Sequence, residues 1–133
     1  MKRSTMLTIA SLLSIVFLIF HMTDDILREG GMAVRGIKNG TVVIPVLSLW
    51  LYGALALAGR KSGYIIMLVG SLIALGMPFL HMALARKVIE NELARARGDY
   101  LFVWMLLAVG VTGLFSLILS VRCLKNPQWG QSR

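Results

Sequence analysis

A chain of 133 residues that is 57% hydrophobic, 15% charged and has a mean hydropathy of +0.77 is too apolar for a soluble domain of its length. A net charge of +8 would suit nucleic acid in a soluble protein, but here the basic residues flank long apolar stretches. Anionic headgroups are then the nearer partner, which excludes nucleic acid and makes the lipid bilayer the expected surroundings.

Four uncharged stretches, 4–23, 39–59, 62–85 and 100–121, are separated by short charged segments. A hydrocarbon core about 30 Å thick needs about 20 apolar residues of helix, so each stretch suffices for one crossing and none for two. The expected fold is an all-α membrane protein. It has four transmembrane helices, over about 6–22, 42–58, 64–84 and 101–121, in one up-down bundle.

Lys2 and Arg3 precede the first stretch in the manner of a secretory leader, but His21, Met22 and Thr23 are poor cleavage-site residues, so a retained helix is expected. Thr8, Ser11 and Ser14 give this helix small polar groups for bonding to backbone or to a neighbour. Beyond it, Gly30, Gly31 and Gly36 should break helical structure, and Thr23 offers an alternative cap for a short interfacial helix. The second helix carries Pro45 in its first turn, where a missing N–H costs little, and Ala54 and Ala58 as a small-residue face. The turn from Gly59 to Gly63 is short enough to force an antiparallel hairpin with the third helix. In that third helix Gly70, Ala74 and Gly76 admit a close neighbour, and Pro78 should kink it before His81.

Arg86 and Glu90, then Arg95 and Asp99, stand at i,i+4, which reads as a solvated helical extension. The fourth helix has Gly110 and Gly113, and Thr112, Ser116 and Ser120 at four-residue spacing, as a packing face. Tyr100 and Trp104 are placed for an aromatic belt, with Tyr64 at the opposite surface. A faint repeat at an offset of 60 residues pairs Ser11 with Ser71, His21 with His81 and Gly53 with Gly113, which would make the bundle two repeated helical hairpins.

Counting Lys and Arg does not decide the orientation, because seven fall on each side. The basic start of helix one, the acids Asp24 and Asp25 at its end, and the Arg60-Lys61 turn favour cytoplasmic N- and C-termini in the inner membrane. All six acids, with both histidines, are then on the other side.

His21, with Asp24 and Asp25 three and four residues later, and His81 from helix three are the candidate metal ligands. Imidazole and carboxylate together suit zinc, manganese or iron, and two histidines would suffice for one haem. Against this stands the plainer reading that each histidine marks the level where a span meets headgroups, with no cofactor at all. The scattered methionines read as core filler, and Cys123, just beyond helix four, as an idle thiol.

The segment FHMTDDILREG, from Phe20 to Gly30, and the turn RKSGY, from Arg60 to Tyr64, resemble small uncharacterised four-span bacterial integral membrane proteins. That resemblance implies the architecture and carries no activity with it. The expected function is non-enzymatic, exerted through helix packing or assembly, as a homo-oligomer or as part of a larger membrane complex. The alternatives are a transporter or permease component, weakened by the lack of a carboxylate inside a span, and a metal- or haem-binding protein using His21 and His81.

Overall fold

The computed structural model describes residues 3–27, 43–85 and 100–125, with side chains over 3–24, 43–80 and 103–125. These residues form four helices and no strand: α1 (Arg3–Leu27), α2 (Val43–Leu55), α3 (Lys61–Ala85) and α4 (Tyr100–Lys125). Three segments, Arg3–Asp24, Lys61–Leu80 and Val103–Lys125, are long and apolar enough to cross a membrane. The fourth helix, α2, is apolar but has 13 residues. At 1.5 Å per residue it is about 20 Å long, less than the hydrocarbon thickness.

Helix α1 extends further than its apolar residues require, because Arg3 at one end and Asp24 and Asp25 at the other continue the same helix. Thr23 therefore caps nothing; its hydroxyl donates to the Ile19 carbonyl at 2.7 Å, one turn back in α1. Helix α2 stops at Leu55, earlier than expected. The amides of Ala56 and Leu57 both turn back onto the Tyr52 carbonyl, at 2.8 and 3.2 Å, and Gly59 takes a φ of 82°, which ordinary side chains resist. The turn is then sealed by Arg60 N–H donating to the Leu57 carbonyl at 3.0 Å. Helix α3 continues through Pro78 to Ala85.

Contacts between named residues fix the direction of every helix. Forward steps along α3 match backward steps along α4: Ser71 meets Ser116, and Ala74 and then Pro78 face Gly113 and then Gly110. Helix α2 is likewise antiparallel to α3, since Trp50 lies on Gly70 and Gly53 on Ile66. Ser11 also meets Ser116, and Arg3 lies near Cys123, so α1 opposes α4 and runs parallel to α3. The result is an up-down bundle in which α4 packs most extensively on α3 and next on α1, with α2 held mainly by α3.

Small residues set these approaches. A Cβ at Gly70 would overlap the Trp50 indole, one at Gly53 would fall 2.8 Å from Ile66 Cβ, and one at Gly113 would fall 2.9 Å from Ala74 Cβ. Gly63 lies so close to the preceding turn that a Cβ there would overlap the Leu57 carbonyl oxygen. Gly76 differs, for a Cβ there would meet nothing within 4 Å. The small-residue positions are thus mostly consumed inside this bundle, and Gly76 is left on an open face.

The described bundle is apolar both inside and outside, with five serines turned inward. Ser11, Ser14, Ser71, Ser116 and Ser120 are buried, whereas Ile44, Phe79, Trp104 and Val111 are each more than 60% exposed. In lipid this is the favourable arrangement, because hydroxyls find partners in the protein and apolar side chains lose nothing by facing acyl chains.

Candidate functional site

The interior between α1, α3 and α4 holds a chain of hydroxyls. Ser11 Oγ and Ser116 Oγ are 2.8 Å apart, and Ser71 Oγ donates toward Ser116 Oγ at 2.8 Å. Ser71 Oγ also lies 2.5 Å from the Met67 carbonyl one turn back in its own helix. A serine has one proton to give, so the Met67 carbonyl and Ser116 compete for it. When Ser71 donates to Ser116, the Ser116 hydroxyl joins three helices, since it also shares a hydrogen bond with Ser11 in which either oxygen can donate. Ser14 donates to the Ala10 carbonyl at 2.9 Å and Thr112 to the Ala108 carbonyl at 2.7 Å, which satisfies each hydroxyl within its own helix.

The serine positions were visible in the sequence as candidates for helix packing, and the structure shows which of them bridge. Ser11 and Ser71, the pair matched at the 60-residue offset, both reach the same atom, Ser116 Oγ. The repeat is broken elsewhere: Gly53 and Gly113 both face α3, where a two-fold relation would send one of them to α1.

His21 lies in α1 with no solvent-exposed surface. Helix α1 carries it and Asp24 on one face, three residues apart, and Asp24 is half-buried. The backbone of Asp25 belongs to the same helix and that of His81 to α3, but the side chains of Asp25 and His81 lie outside the described residues. Among the described residues no three His, Cys, Asp or Glu side chains gather closely enough to hold a metal.

At the other end of the core, two expectations change. Cys123 lies within α4, not beyond it, and is buried as a free thiol. Tyr64 is 3% exposed and points inward, so it forms no part of an aromatic belt, whereas Trp104, at 69%, stands on the outer surface. Tyr64 and Arg3 both lie near Cys123, which brings the starts of α3 and α1 together with the end of α4. Tyr64 Oη, Ser120 Oγ and Trp50 Nε1 are buried with no hydrogen-bond partner among the described residues. Ser120 belongs to the packing face expected of the fourth helix, whereas nothing in the sequence distinguished Tyr64 and Trp50 as inward-facing, because in lipid both faces of a span are apolar.

The chain matches no protein-family model, and no curated protein or solved structure is similar to it.

Proposed function

We propose that the chain is a multi-pass protein of a bacterial inner membrane, with cytoplasmic N- and C-termini, that acts through helix packing and assembly, either with itself or as a small subunit of a larger complex. The observation that carries this reading is the division of the surface. The bonded serine hydroxyls of the described core are spent inside the bundle, and all four helices turn large apolar side chains outward, among them Phe20, Ile44, Phe79 and Val111. Such a surface offers contacts to lipid and to other transmembrane helices. Stretch 39–59, which contains α2, supplies the fourth crossing. Cross-linking in native membranes, followed by mass measurement of the purified protein in detergent, should yield a discrete adduct; a lone monomer at native abundance would overturn the assembly reading.

A second reading, binding of a divalent metal or one haem, is favoured by two placements. His21 is enclosed, and α1 and α3 run parallel with Ser11 and Ser71 meeting at Ser116. Ten residues further along each helix, about 15 Å, come His21 and His81, which are therefore at one depth. An absorption spectrum and metal analysis of the purified protein test it. His21→Ala and His81→Ala should each remove the bound group, and the double variant should do no further harm. Equal metal content in wild type and both variants, with no haem band, would sink it. A transporter or permease component ranks behind both, because no charged residue lies inside any of the four apolar stretches.

A further inference from the structure

The topology collects cations from three separate parts of the chain at one end of the bundle. Arg3 begins α1, Arg60 and Lys61 form the turn into α3, and Arg122 and Lys125 occupy the last turn of α4. Helices α1 and α3 start at the end where α4 finishes, so all five share one rim; Arg60, Lys61, Arg122 and Lys125 are exposed and Arg3 is half-buried. Among the described residues no acid accompanies them. All six acids of the chain fall at positions 24–29 and 90–99, from the last turn of α1 onward, and after α3 and before α4. The equal division of Lys and Arg between the two sides hides this, because only one side has its cations offset by carboxylates.

We propose that this acid-free rim is a binding surface for anionic phospholipid headgroups, engaged by Arg3, Arg60, Lys61, Arg122 and Lys125 together. The depth of the cations selects this partner. Arg3 and Lys61 open two of the membrane-length apolar segments and Lys125 closes the third, so each stands at the edge of the hydrocarbon where phosphates lie. Arginine can engage a phosphate through two parallel N–H bonds, while lysine contributes a compact charge. The rim acts on lipid whether or not the protein assembles, so it depends on the membrane-spanning reading alone.

The test is native mass spectrometry of the full-length protein, extracted from bilayers of equal phosphatidylglycerol and phosphatidylcholine. Phosphatidylglycerol should be retained in preference. Arg60→Gln with Lys61→Gln, in the exposed turn where folding is least disturbed, should weaken that preference by about fivefold for each cation removed. Raising salt to about 1 M, where the Debye length falls to about 3 Å, should weaken it further. Replacing Arg86 and Lys87 by Gln, on the opposite side, should leave it unchanged. Equal retention of the two lipids, or equal loss from the Arg86/Lys87 variant, would overturn the proposal while leaving the bilayer reading intact. Failure of the protein to enter bilayers would overturn both.

Discussion

Ser11 in α1 and Ser116 in α4 hold their hydroxyls 2.8 Å apart across 105 residues of chain, and Ser71 in α3 reaches the same Ser116 oxygen at 2.8 Å. Ser116→Ala removes both interhelical bonds at once. Hydrogen bonds between membrane helices average about 0.6 kcal/mol each, so the expected loss is about 1 kcal/mol. Ser71→Ala should cost less, because Ser11 keeps its bond to Ser116. A double-mutant cycle on reversible unfolding in mixed micelles should return a coupling between positions 71 and 116, and strict additivity would separate them.

The glycines of α3 should divide by their surroundings. Gly70→Ala places a methyl group against the Trp50 indole, and overpacking of this kind costs roughly 1–3 kcal/mol. Trp50 emission should shift with it. Gly76→Ala meets nothing within 4 Å and should be neutral or stabilising by up to about 1 kcal/mol through helix propensity. If both variants unfold alike, the close approach of Trp50 is wrong.

Cys123 is 2% exposed within α4. A membrane-permeant maleimide should label it slowly in the folded protein and rapidly once the bundle is unfolded in dodecyl sulfate. Labelling at the rate of a free peptide thiol under native conditions would place α4 in another rotation.

The orientation is open to direct measurement. Reporter domains fused after Arg60 and after Arg133 should both report cytoplasm, and cysteines at Asp25 and Glu90 should react with an impermeant reagent from the other side. Periplasmic signals from both fusions would invert the protein; opposite sidedness of Asp25 and Glu90 would remove a crossing.

Helix number was legible because charge is excluded from lipid: each apolar stretch marks a helix whatever its partners. Helix ends were less so. Arg3, Asp24 and Asp25 extend α1 past its apolar residues, since long or terminal charged groups can reach the interface, while the Gly59 backbone and the doubled bond to Tyr52 shorten α2. Rotation was the least legible property. Tyr64 faces inward and Trp104 outward, although both are aromatic residues near the ends of apolar helices. A soluble helix would separate them by an amphipathic pattern, but a span surrounded by lipid has no polar outer face. The buried serines and small residues such as Gly70, Ala74 and Gly113 were the inward signals in the sequence, and the burial of His21 followed from no local pattern.

Helix α4 is the hub: it makes the most extensive contacts with α3 and the next most with α1, while α1 and α3 touch each other little. It is also the last of the four helices to leave the ribosome. Until it inserts, α1 and α3 have no Ser116 to share, and α2 keeps only its hairpin with α3 and a light contact with α1. Until α4 packs, α1 and α3 lack their most extensive contacts, so the bundle is completed only with its C-terminal described helix.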